Sequence, residues 1–152
     1  NSRRWCGITD RKNTEYDVKE IGWNYYMNEF SAVIGLQQLK KLDKLNKKRR
    51  NIAEKYCNEI SLESKMPFDQ NCSYHLYWIL VKNRQRVRKE LAQNGIETGT
   101  HYKPIHSMKM YKKSNSLPIT ERVGKQIVTI PIHPNLKNSE IEKIINTVNK
   151  FT

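Results

Sequence analysis

Apolar positions spaced for a helix dominate one stretch of the chain. Between residues 28 and 58, Ile34, Leu39, Leu42, Leu45, Ile52, Ala53 and Tyr56 recur on an arc of roughly 140° at 100° per residue, the width of a core-facing stripe. Lys40, Lys41, Lys44, Lys47, Lys48 and Lys55 fall on the other side. The pattern predicts one helix about 42 Å long, enough to bridge two bodies. Asn28 is the expected N-cap, with Glu29 near the positive end of the helix dipole.

The rest alternates between short strand and helix signals. Residues 61–73 read as loop, with Pro67 holding Met66 extended. Tyr74 to Val81 (YHLYWILV) is the strongest strand candidate, followed by a short helix over Gln85–Asn94 with Val87, Leu91 and Ala92 inward. Gly95 is the residue expected to end that helix. Ile96 to Thr100 reads as a second strand leading into HYKPIH, and Met108 and Met110 suit a loose helical turn. A helix opens at Leu117-Pro118, a third strand covers 126–131, and a last helix capped by Asn138 or Ser139 buries Ile141, Ile144, Ile145 and Val148. Strands separated by helices imply an α/β or α+β layer around a small sheet.

Composition narrows this picture. A chain of 152 residues suits one ordinary domain, and 37% hydrophobic residues with a mean hydropathy of −0.83 is polar without being disordered. No run reaches the ~20 apolar residues of a membrane helix, and no signal peptide is visible. Cys6, Cys57 and Cys72 are odd in number and lack metal-ligand spacing, so a reduced cytoplasmic setting is the simplest reading. The chain opens Asn1-Ser2-Arg3-Arg4 without an initiator methionine, as a piece of a longer protein would.

The net charge of +13 raises nucleic acid as a partner. Against it, the basic residues lie on helix faces rather than among aromatics, and no zinc, RNP-type or glycine-clamp motif accompanies them. A solvated lysine face, or a surface suited to an anionic small substrate, fits as well.

Two clusters carry candidate chemistry. Asn24-Tyr25-Tyr26 sits just before a helix N-terminus, where a side-chain amide can bind phosphate without adding a counter-charge. The bland alternative is that Asn24 closes a turn. His101-Tyr102-Lys103-Pro104-Ile105-His106 offers two imidazoles and a phenol around a rigid proline, groups that suit hydroxyls and phosphates; a surface turn with incidental histidines is its alternative. No nucleophilic triad, metal-ligand set or glycine-rich phosphate loop is visible.

The order of these segments is more telling than any one of them. Gly22-Trp23-Asn24-Tyr25-Tyr26-Met27, then Ile34-Gly35-Leu36-Gln37-Gln38-Leu39 and a basic helix ending at Ala53-x-x-Tyr56, closely resembles the DegT/DnrJ/EryC1/StrS family of sugar aminotransferases. RRWCGI near the start, the YHLYWILV strand, Arg88, Leu91, Gly95 and Ile96, HYKPIH, Leu117 to Glu121 and IPIHPNL follow the family order over nearly the whole chain.

The resemblance implies the C-terminal portion of a fold-type I, pyridoxal-phosphate-dependent α/β enzyme. Its parts would be the tail of the large cofactor domain (1–27), a long connecting helix (28–58) and a small C-terminal α/β domain (59–152). Family members are usually homodimers that pass an amino group, commonly from glutamate, to a keto group on a nucleotide-linked sugar. Asn24 matches the family asparagine that reaches the cofactor phosphate of the neighbouring subunit. Tyr26, His101, Tyr102 and His106 carry over to the substrate side. Tyr26 stands where many members have arginine, and the Schiff-base lysine lies upstream of residue 1, so the chain alone is expected to be inactive. The rival expectations are a basic nucleic-acid-binding module and a catalytically silent regulatory member of the same fold.

Overall fold

The helical stripe does not run unbroken. In the computed structural model, which describes residues 21–111 and 116–151, it forms two helices, α1 (Glu29–Leu39) and α2 (Leu42–Glu59). Between them the Lys41 N–H donates to Gln38 O at 3.0 Å, a tighter i−3 step that closes the first helix. No proline or glycine marks the break, so periodicity alone carried the expected helix across it. Asn28 caps α1 as expected, its side chain accepting from the Ser31 N–H at 2.8 Å. The RRWCGI segment and Cys6 lie outside the described residues.

The chain divides into two units, Asn1–Leu42 and Asp43–Thr152. In the first, α1 buries none of its residues: Phe30, Val33, Ile34, Leu36 and Leu39 are all exposed. The stripe is real as a sequence pattern, but only its α2 part, Ile52, Ala53 and Tyr56, enters a core.

In the second unit, β1 (Tyr77–Leu80) pairs antiparallel with β2 (Ile127–Ile130), Tyr77 opposite Ile130 and Trp78 opposite Thr129. Single antiparallel bridges extend the layer on both sides, Lys65 to Ile79 and Gly99 to Thr129. The strand expected over 96–100 is therefore one bridge at Gly99. Around the sheet stand α3 (Arg84–Gln93), α4 (Pro118–Gln126) and α5 (Asn138–Val148).

Helix chemistry follows the sequence closely in this unit. Gly95 ends α3 at φ 71°, in the left-handed region that glycine enters at little cost. Val87 and Leu91 are buried as expected, but Ala92 is exposed because it falls past the edge of the inward face. Pro118 occupies the first turn of α4, where its missing N–H costs nothing. At α5 neither Asn138 nor Ser139 caps; the Glu140 carboxylate instead accepts from the Lys137 N–H at 2.7 Å. Ile141, Ile144, Ile145 and Val148 are all buried.

Tyrosines form the centre of the core. Tyr56, Tyr74 and Tyr77 are fully buried, with Tyr56 edge-on to Tyr77 at 5.2 Å and Tyr74 stacked on Tyr77 at 6.5 Å. Each hydroxyl has a carbonyl to donate to: Pro131 O at 2.8 Å, Pro67 O at 3.2 Å and Met66 O at 2.9 Å, respectively. Tyr74 takes φ 50°, unusual for a side chain of this size, and its buried ring and hydroxyl bonds hold it there.

Burial pushes all three phenols above their ordinary range, with neighbouring Tyr77 adding to the shift of Tyr56, and Cys57 and then Tyr74 adding to that of Tyr77. The folded state thus keeps protons that the unfolded chain releases above about pH 10. This part of the stability is complete below that pH and falls as the pH climbs beyond it. Urea unfolding between pH 8 and 11 is expected to show a flat plateau up to about pH 10 and then a loss that approaches about 1.4 kcal/mol per pH unit for each of Tyr56 and Tyr77. A curve that stays level through pH 11 would contradict the tyrosine core.

Candidate functional site

The histidine segment is fixed from below by the sheet edge. Gly99 and Thr129 exchange backbone bonds, Gly99 N–H to Thr129 O at 3.0 Å and Thr129 N–H to Gly99 O at 2.9 Å. Two residues on, Nδ1 of His101 lies 2.7 Å from Oγ1 of Thr129, a side chain only 5% exposed. Gly99 is needed for this approach. A Cβ there would run into Cε1 of His101 and stand 2.7 Å from the Thr129 hydroxyl. The Tyr102 ring meets the His101 ring edge-on at 4.9 Å and is itself exposed.

A second anchor comes from α4. Pro104 packs against Gly124, where a Cβ would come within 2.6 Å of the proline ring. The Arg84 guanidinium donates to the Gly124 carbonyl at 2.6 Å, steadying that turn of helix. His106 Nε2 lies 3.3 Å from a Glu121 carboxylate oxygen, which also accepts the Leu117 N–H at 3.1 Å. The Leu117 N–H, and after it the His106 imidazole, hold the Glu121 carboxyl below its usual range. Ser107 closes the segment on Pro104 O through its N–H and its hydroxyl.

His101, Tyr102 and His106 are therefore parts of one segment held at three points. Their supports, Gly99, Thr129, Glu121 and Gly124, were not singled out from the sequence. The available signal was the pair of glycines: one inside a strand pattern and one inside a helix pattern, each a sign of close backbone approach. An open hollow of about 690 Å³, lined in part by Lys82, Arg86 and Lys150, includes none of the candidate site residues.

Asn24 and Tyr26 belong to the first unit, and both are exposed. The Asn24 side-chain oxygen accepts from the Tyr26 N–H at 3.2 Å. That bond uses the acceptor end of the carboxamide, so what Asn24 offers a ligand is its NH₂ donor end. A neutral donor of this kind fits a phosphate oxygen, and in that respect the residue suits a phosphorylated cofactor.

The family model for the DegT/DnrJ/EryC1/StrS aminotransferases matches residues 2–149. The chain belongs to that family. Among related proteins, the GDP-perosamine synthase of Escherichia coli O157:H7 is 31% identical over 152 residues, covering 95% of this chain and 41% of that enzyme. PseC of Helicobacter pylori, an aminotransferase involved in the biosynthesis of pseudoaminic acid, superposes with a TM-score of 0.84 at 28% identity, over 99% of this chain and 44% of PseC. The PLP form of Spr1654 from Streptococcus pneumoniae superposes with a TM-score of 0.85 at 25% identity, over 99% of this chain and 41% of its own. The family member described here thus spans about two-fifths of these relatives' length, and has the C-terminal portion of the fold-type I architecture. The family match does not favour the basic nucleic-acid module. Among the described residues, no helix is long and apolar enough to cross a membrane.

Proposed function

We propose that this chain forms the C-terminal part of a cytoplasmic, pyridoxal-phosphate-dependent enzyme that moves an amino group from glutamate to a keto group on a nucleotide-linked sugar, for cell-surface polysaccharide or glycan synthesis. The observation that carries the reading is the anchored HYKPIH segment, which holds two imidazoles against the sheet and α4 and sets the exposed Tyr102 ring edge-on to the first. His101 and Tyr102 serve as hydrogen-bonding partners for hydroxyl and phosphate oxygens of the sugar nucleotide, and His106 and Tyr26 are each read as further substrate-binding residues. Asn24 donates its amide to a cofactor phosphate oxygen.

Pyridoxal phosphate, when bound, supplies the electron sink that amino transfer needs. The lysine that would hold it covalently has no match in this chain, so the 152 residues by themselves are read as inactive. The parent enzyme is read as a homodimer, as members of the family usually are.

In the full-length protein, the cofactor and substrate assignments are expected to separate in a simple experiment. Asn24→Asp sets a negative charge beside the phosphate and should weaken cofactor binding about tenfold or more, with little change in KM for the sugar nucleotide. His101→Ala should raise that KM roughly tenfold and leave cofactor affinity unchanged. Cofactor titration by absorbance and steady-state kinetics read the two effects. Unaltered cofactor affinity in Asn24→Asp, or an unaltered KM in His101→Ala, would sink the corresponding assignment.

A further inference from the structure

We propose that Thr129 is a positioning residue: its hydroxyl donates to Nδ1 of His101, so the neutral imidazole keeps its proton on Nε2 and presents it to an oxygen of the bound ligand. The ligand half of this statement rests on the reading of His101 as a substrate-side residue.

Thr129 is well placed to orient a ring. It lies in β2 opposite Trp78, is bonded through its backbone to Gly99, and is almost wholly buried. Its Oγ1 has one partner among the described residues, Nδ1 of His101 at 2.7 Å. The direction of that bond follows from counting donors and acceptors. Were Nδ1 to carry the proton and donate, the Thr129 hydroxyl hydrogen would be buried with no acceptor, an arrangement native interiors avoid. No buried side-chain nitrogen or oxygen among the described residues lacks a partner, and donation from Thr129 to Nδ1 keeps that true for the hydroxyl hydrogen as well.

The other ring nitrogen, Nε2, has no hydrogen-bond partner among the described residues. Gly99 completes the seat, since a Cβ at that position would strike the imidazole. A ring held through one nitrogen and packed on a glycine presents the second nitrogen as a fixed N–H donor. That is the role a partner on Nδ1 sets in histidine sites generally. Carbonyl, hydroxyl and phosphate oxygens are the acceptors such a donor recognises.

The test compares wild type with Thr129→Val, which keeps the branched shape and loses the hydroxyl, and Thr129→Ser, which keeps the hydroxyl. Nitrogen NMR of ¹⁵N-histidine in the full chain, with His101 assigned by His101→Gln, reads the tautomer at a pH where imidazole is neutral. Wild type and Thr129→Ser should show the proton on Nε2 and a bare Nδ1, and Thr129→Val a mixture of tautomers. In the full-length enzyme Thr129→Val should raise KM for the sugar nucleotide roughly tenfold with kcat within about twofold, and Thr129→Ser should restore KM to within about threefold.

A wild-type proton on Nδ1, or a Thr129→Val spectrum identical to wild type, overturns the proposal. A changed tautomer with unchanged KM overturns its ligand half together with the substrate-side reading of His101. Wild-type enzyme that transfers no amino group overturns the functional reading alone, and the spectra still decide whether Thr129 sets the ring.

Discussion

Tyr77→Ala is expected to destabilise the second unit by about 3–5 kcal/mol, the range for truncating a large buried aromatic. That is a large part of the 5–15 kcal/mol that holds a typical domain together. Tyr77 is fully buried, sits edge-on to Tyr56 at 5.2 Å and stacks on Tyr74 at 6.5 Å. Its hydroxyl donates to Met66 O, while the Met66 N–H donates to Trp78 O at 2.9 Å, so the same residue ties the incoming chain to β1. Alanine would open a cavity between two rings that cannot close on each other without moving β1. Tyr77→Phe keeps the ring and leaves only the Met66 carbonyl without its donor, a loss of about 1–2 kcal/mol. Urea denaturation reads both. If the alanine variant does not fold, the phenylalanine variant still carries the comparison, and a phenylalanine variant as stable as wild type would contradict the hydroxyl's role.

Gly99→Ala should have the larger effect on function. The backbone of Gly99 is not left-handed, so alanine meets no φ penalty there. The conflict is with side chains: the new methyl would strike Cε1 of His101 and stand 2.7 Å from Oγ1 of Thr129 and 2.9 Å from Nδ1 of His101. The imidazole is the member able to leave, because it is half-buried and closes no strand pairing. Moving it breaks the bond to Thr129. A rise of about 10- to 100-fold in KM for the sugar nucleotide is expected, the cost of one lost and one misplaced contact. Stability should fall by about 1–3 kcal/mol as well, because the buried Thr129 hydroxyl loses its partner, while the core tyrosines are untouched. A variant with wild-type KM would show that His101's position does not matter to substrate.

These two residues also mark what the sequence does and does not reveal. Tyr77 lies in an aromatic, branched run that announces a strand, and its burial follows from that pattern. Gly95, Pro118 and the isoleucines of α5 are similarly local: each acts through its own backbone or its own helix face, so spacing is enough to find it. The break at Lys40–Lys41 is different. Both flanking segments favour helix, and no residue type at the junction forbids it. Propensity therefore had nothing with which to predict the interruption, nor that α1 buries none of its residues.

The site was legible as a segment and not as a geometry. HYKPIH stands out by its residue types, but Thr129 and Glu121 are 28 and 15 residues away from the histidines they hold. An ordinary strand threonine and an ordinary helix glutamate give no local sign of such a partner. Gly99 and Gly124 did give one, each interrupting a regular pattern without a turn to explain it. Asn24 stood out by its place before a helix N-terminus and then by motif order, and its 3.2 Å bond to the Tyr26 N–H shows that it closes a local turn.

The most direct test of the central claim follows the nitrogen itself. The full-length protein, incubated with pyridoxal phosphate and ¹⁵N-glutamate, is offered a panel of nucleotide-linked keto sugars, and the products are analysed by mass spectrometry. The account predicts a sugar nucleotide that carries the label as an amino group, with 2-oxoglutarate formed in equal amount and the 152-residue chain alone giving none. Cofactor bound in full and no labelled sugar from any member of the panel would contradict it.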